Sequence, residues 1–175
     1  MNPGARRGVR IGVDVGKVRV GVARSDPDGI LASPLVTLAR DLPPARATAG
    51  PDITVGSAGG TEGADRGGRT PTDIAQLAAL VLEHEAVEVV VGLPVTLAGR
   101  EALAAADARG YAELLGRAIE PIPVRLSDER MTTVVASRRL SERGVRGRRQ
   151  RAVVDQVAAV EILQGWLDNQ RRRTQ

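Results

Sequence analysis

Val9-Arg10-Ile11-Gly12-Val13-Asp14-Val15 is the stretch on which the fold turns. Val9, Ile11, Val13 and Val15 share one face in strict alternation, the period of a half-buried β-strand. Gly16-Lys17 can turn the chain, and Val18, Val20 and Val22 repeat the alternation, so the spacing predicts a hairpin. Asp26-Pro27-Asp28-Gly29 reads as a second turn, leading into a third strand over Ile30 to Leu38.

Beyond the meander the pattern changes. From Pro43 to Arg69 glycine, proline, threonine and alanine dominate and apolar periodicity disappears. A stretch of that length without regular structure is uncommon inside a domain, so a flexible insertion at 43–70 is expected. Thr70-Pro71-Thr72-Asp73 reads as a helix start, with Thr70 as N-cap, Pro71 at N1 and an acid at N3. Ile74, Leu77 and Val81 then keep helical spacing to about Glu85. Val87 to Val91 is a continuous β-branched run of the kind buried in parallel sheets, ended by Gly92-Leu93-Pro94. An alanine-rich helix over Glu101 to Ala118, a short strand over Pro123 to Leu126, and helices over roughly 131–143 and 149–169 complete the chain. The order β-β-β-α-β-α-β-α-α is a meander that becomes alternating α/β, in one domain spanning 1–175. The basic end at 170–175, with Arg171, Arg172 and Arg173, is expected as a disordered tail adding nonspecific attraction to polyanions.

Composition narrows the chemistry. The 175 residues contain no cysteine and one histidine, His84. Disulfides, thiolate metal sites and a Ser-His-Asp triad are therefore disfavoured. Metal chemistry must run on carboxylate oxygens, which suit hard cations such as Mg²⁺ or Mn²⁺. No run approaches the ~18 apolar residues a membrane span needs, and a soluble, cytoplasmic protein is expected. A net charge of +4 and a pI near 10.8, carried almost wholly by arginine, favour a polyanionic partner. Tyr111 and Trp166 are the only aromatics, which disfavours a single-strand binder built on base stacking.

Three acids stand out. Asp14 interrupts a strand on the face opposite Val13 and Val15, between Gly12 and Gly16. That pattern clears bulk from around one carboxylate; the plainer alternative is a strand-end acid facing solvent. Asp155 has Ala158, Ala159 and Ile162 at i+3, i+4 and i+7, so its carboxylate points at an apolar stripe. Burial there is costly unless the group is paired, for instance with Arg151 at i−4, or bound to metal. Ser127-Asp128-Glu129-Arg130 follows the short strand, at the carboxyl edge where open α/β sheets bind ligands; equally, an acid there could cap the next helix. Three carboxylates on a basic chain without histidine or cysteine chemistry point to metal-dependent phosphodiester hydrolysis, with two ions bridged by carboxylates.

Four segments then carry a resemblance. Asp14-Val15-Gly16-Lys17-Val18-Arg19-Val20-Gly21-Val22-Ala23 resembles the first-strand motif of the YqgF/RuvX family, whose members have an RNase H-like fold. Val91-Gly92-Leu93-Pro94, with Gly99 and Glu101, is similar to its Gly-Leu-Pro segment. Asp128-Glu129-Arg130-Met131-Thr132-Thr133 resembles its Asp-Glu-Arg motif, and Val154-Asp155-Gln156-Val157-Ala158-Ala159 its last helix. The resemblance implies a mixed five-stranded sheet, three antiparallel strands then parallel ones, flanked by helices. It implies a nuclease processing the 5′ end of pre-16S ribosomal RNA, or alternatively a Holliday junction resolvase acting on branched DNA. It also implies that Asp14, Glu129 and Asp155 are the catalytic, metal-binding acids. The chain departs from the family pattern in three places. Ser127 stands where a histidine or another polar residue is usual, arginines replace a lysine before the last aspartate, and 43–70 has no counterpart.

Eight arginines lie between Arg130 and Arg151, with Glu142 as the only acid among them. Arg130, Arg146, Arg148, Arg149 and Arg151, together with Lys17 and Arg19, are candidate phosphate contacts; the plainer alternative is a solvated charged face. A monomer or a homodimer is compatible with this reading. The competing functions are a non-catalytic RNA-binding module and an ATPase of the actin/sugar-kinase type. The latter needs two copies of the Asp-x-Gly domain, and the chain holds one.

Overall fold

In a computed structural model, described over residues 7–41, 70–94, 100–128 and 148–174, the alternation around Asp14 forms β1 (Arg10–Val15). It pairs antiparallel with β2 (Arg19–Ser25), which pairs antiparallel with β3 (Ala32–Ala39). The expected insertion at 43–70 and the expected helix at 131–143 lie outside the described residues, apart from Thr70.

The hairpin loop is Lys17-Val18, closed by the Gly16 N–H donating to the Arg19 carbonyl at 2.9 Å. The second turn forms as its residues require. Gly29 adopts φ 66°, a left-handed value that suits glycine, and Asp26 Oδ1 accepts from the Ile30 and Leu31 amides at 2.7 Å each. Those amides, Leu31 foremost, hold the Asp26 carboxyl below its ordinary range.

The chain then crosses over. Helix α1 (Thr72–Glu83) leads to β4 (Glu88–Leu93), α2 (Arg100–Ala118) to β5 (Val124–Asp128), and α3 spans Arg148–Thr174. β4 lies parallel to β1, and β5 parallel to β4, which gives the strand order β3-β2-β1-β4-β5. This is the expected mixed five-stranded sheet.

Several boundaries differ from expectation, three of them with a visible physical cause. The N-cap of α1 is Pro71, one residue later than expected, and no side chain of its own caps the helix. Asp41, across the chain, accepts from the Thr72 amide at 2.9 Å and its hydroxyl at 3.0 Å. Ser127 and Asp128 lie inside β5 because their register partners, Gly92 and Leu93, extend β4 beside them. Finally, α3 runs through Arg171, Arg172 and Arg173 to Thr174 where a disordered tail was expected. Cations suit a helix C-terminus, and Arg171 also pairs with Asp168 one turn earlier.

The two faces of the sheet pack differently. On one, Ile11, Val13, Val20, Val22, Val89 and Val91 meet Ile74, Leu77 and Val81 of α1 and Tyr111 and Leu115 of α2. On the other, Ala23 and Val90 meet Ala159, Ile162, Leu163 and Leu167 of α3. Full burial of each large α3 side chain is worth roughly 1.5–3 kcal/mol. Side chains also pin α3 at its outer half. Gln164 accepts from the Ala32 amide at 2.8 Å and donates to the Ile30 carbonyl at 3.0 Å, and the Trp166 indole donates to Glu88 at 3.2 Å. Among the described residues no helix is long and apolar enough to cross a membrane.

Helix α2 carries an unused gain in stability. Nothing lies within 4 Å of where a Cβ on Gly110 would stand. Gly110→Ala is expected to stabilise the protein by ~0.5–1 kcal/mol through helix propensity. A higher urea midpoint at unchanged slope would show it; a lower midpoint would mean that the space is occupied.

Candidate active site

β1, β4 and β5 run parallel, so Val15, Leu93 and Asp128 end at one edge of the sheet. Asp14 stands at that edge with 5% of its surface exposed. Alternation puts it on the face of Gly12, the face that α3 covers. Its antiparallel register partner is Gly21, and directly opposed residues of such a pair project to the same face.

Gly21 decides what lies next to Asp14. A Cβ there would stand 2.0 Å from the Asp155 carbonyl oxygen. The missing side chain therefore seats the backbone of α3 directly on β2, with Asp155 beside the position opposite Asp14. Gly12 and Gly92 continue the paving: a Cβ on either would meet Leu163 at 2.6 Å or Ile162 at 2.4 Å. The bulk that Gly12 and Gly16 are expected to clear from around Asp14 is cleared for the fold itself: Gly12 makes room for α3, and Gly16 closes the hairpin, its Cβ position lying 2.7 Å from the Arg19 carbonyl oxygen. Both glycines still serve the site, by letting its elements approach.

Ala158, Ala159 and Ile162 are buried as the helical spacing requires. Asp155 sits at the end of that stripe, its side chain 25% exposed, and Arg19 Nε donates to its Oδ2 at 2.7 Å. This ion pair joins residues 136 positions apart. Lys17 is exposed at the hairpin tip. Asp128 ends β5 exposed, whereas Ser127 is buried beside Gly92, on the face toward α3. Glu129, Arg130 and Arg146 lie outside the described residues. Arg148, Arg149 and Arg151 belong to the start of α3, and nothing is described of their side chains.

Arg40, which sequence reasoning passed over, braces the site from below. Its Nη1 donates to the Gly16 carbonyl at 2.9 Å, and its two terminal nitrogens grip both oxygens of Asp107 on α2 at 2.5 and 2.6 Å. The guanidinium also lies 5.5 Å from the centre of the Tyr111 ring. The bond to Asp107 is the main cause that raises the Arg40 pKa. Arg40 thus ties the hairpin that follows Asp14 to a helix on the opposite face. No local pattern around Arg40 marks it, because its partners come from residues 16, 107 and 111. Beside it, a cleft of about 480 Å³ is lined by residues including Asp73, Asp107, Tyr111 and Arg117, but not by Asp14 or Asp155. Burial, and then the neighbouring Asp73 carboxylate, push the Tyr111 phenol well above its ordinary range.

The donors at the edge fit a hard divalent cation. Asp14 and Asp155 offer only oxygen, on rigid elements, with a cationic group already drawn to one of them. Among the described residues no group of three or more acids, histidines or cysteines could hold a metal ion; the third expected acid, Glu129, is not one of those residues.

Residues 47–169 match the family model described as RuvX: Holliday junction resolvase. A protein of Mycolicibacterium smegmatis named "Putative pre-16S rRNA nuclease" is 54% identical over 165 residues, covering 94% of this chain and 83% of that protein. One of the same name from Rhodococcus erythropolis is 52% identical over 166 residues, covering 95% and 81%. Among solved structures, T. thermophilus RuvC in complex with a Holliday junction substrate matches with a TM-score of 0.52 at 15% identity, covering 95% of this chain and 97% of that one. That likeness shows the RNase H-like fold.

Proposed function

The chain belongs to the RuvX family, and on that premise we propose that it is a divalent-metal-dependent nuclease that processes the 5′ end of pre-16S ribosomal RNA. The observation that carries the chemistry is the seating of Asp155 on Gly21, the register partner of Asp14. The backbone of one acid thereby lies against the register partner of another, far from it in the chain, at the carboxyl edge of a sheet. Glu129 is the third acid of the proposal. It immediately follows Asp128, the last residue of β5.

Asp14 and Asp155 would hold the cation, Mg²⁺ or Mn²⁺ in a pair of ions, with Glu129 completing the set. Bound there, the ions would supply an activated water and a counter-charge for the leaving oxygen. Around them the protein's own groups position the substrate. Lys17 at the hairpin tip, Arg19 beside it, and Arg130, Arg146, Arg148, Arg149 and Arg151 are assigned to backbone phosphates. Arginines at the start of α3 oppose the helix dipole, but the same helix end attracts an anion. A phosphate there resolves that conflict.

Depletion of the protein in its host, followed by mapping of 16S ribosomal RNA 5′ ends, tests the substrate. Accumulation of an extended precursor, reversed by the wild-type gene but not by Asp155→Asn, is the expected result. Mature ends after depletion would reject it. A second reading, cleavage of branched DNA, is favoured by the description of the matching family and by the RuvC likeness. Such an enzyme cuts two symmetric strands and so needs paired sites in a dimer. One preparation assayed on a four-way junction and on a ribosomal precursor separates the two.

A further inference from the structure

Two carboxylates cannot share a water-poor corner of a fold without counter-charge. Asp14 is almost fully buried, and Asp155 is three-quarters covered. The cation that the structure places on Asp155 is Arg19, whose Nε meets Oδ2 at 2.7 Å. A bond of that length between two charged groups is among the stronger hydrogen bonds a protein makes. It occupies an oxygen that the metal-site reading needs. The Arg19 side chain is 27% exposed, and it is long and flexible next to the hairpin tip, so rotation about its own bonds can carry the guanidinium off Asp155.

Resting on the metal-site reading above, we propose that Arg19 is the resident counter-cation of this site and competes with the divalent ion for Asp155. Without the ion, the arginine screens Asp155 and keeps α3 seated over Gly21. With the ion, like charges repel and the guanidinium departs. Metal affinity is therefore set partly by a residue that is not a ligand.

The test is calorimetric titration of MgCl₂ into the full-length wild type, Arg19→Gln and Asp155→Asn, together with NMR of the wild-type Arg19 Nε–H. Arg19→Gln is expected to bind Mg²⁺ roughly three- to thirty-fold more tightly, as removal of a charged competitor implies. The Arg19 Nε–H signal should shift or vanish in step with Mg²⁺ saturation. Equal or weaker binding by a folded Arg19→Gln protein overturns the proposal. Should that variant not fold, the wild-type signal decides, and its constancy across Mg²⁺ saturation overturns the proposal as well. Mg²⁺ binding that is lost in Asp155→Asn supports the metal-site reading independently. Wild type without Asp155-dependent Mg²⁺ binding rejects that reading, and the competition with it.

Discussion

Asp14→Asn is expected to lower metal-dependent cleavage by at least ~100-fold while leaving the protein folded. Loss of a partner that merely orients a metal ligand commonly costs ~10–100-fold, and the proposed role of Asp14 is direct. Asparagine keeps the shape of the side chain and part of its hydrogen-bonding capacity, so the packing between β1 and α3 should survive. Single-turnover cleavage in Mn²⁺, paired with thermal melting, separates chemistry from folding. Activity within tenfold of wild type would remove Asp14 from the site.

Gly21→Ala is expected to damage both folding and activity, although it adds a single uncharged methyl group. The new Cβ would stand 2.0 Å from the Asp155 carbonyl oxygen and 2.5 Å from its carbonyl carbon. Those are backbone atoms, so no rotamer change relieves the clash. Ordinary contact begins near 3.4 Å, and α3 must retreat by roughly an ångström or more. The retreat loosens Ile162 and Leu163 against the sheet, and overpacking of this kind costs ~1–3 kcal/mol or more. It also moves Asp155 away from Asp14, and ~1 Å of misplacement can cost ~100-fold in rate. Urea denaturation and cleavage assays should therefore both fall, in contrast to Gly110→Ala. A Gly21→Ala protein with wild-type stability would contradict the close seating of α3 on β2.

How the chain reveals its site differs from residue to residue. Asp14 is legible locally, because alternation assigns it to the face opposite the valines whatever the strand packs against. Asp155 is legible as an acid on an apolar stripe, since helical spacing depends only on neighbours within two turns. Glu129 is selected over Asp128 through family resemblance, and the exposed position of Asp128 at the end of β5 is consistent with that choice. The N-cap expected at Thr70 falls at Pro71, and the Thr72 amide is capped instead by Asp41, brought from 31 residues away. The basic end was read as a tail because a charge run resembles one in isolation, whereas the dipole of a long docked helix favours it.

The amino-acid sequence alone determined the order of the described strands and helices and singled out Asp14 and Asp155 as candidate acids, since periodicity and composition are properties of neighbours and counts. Only the tertiary structure decided what the glycines are for. Gly12 and Gly21 look like weak points in strands until α3 lies across them. It likewise decided that Arg19 holds Asp155 and that Arg40 braces the turn after Asp14. Those bonds span 136 and up to 67 positions of chain, and side chains that distant meet only when packed elements bring them together.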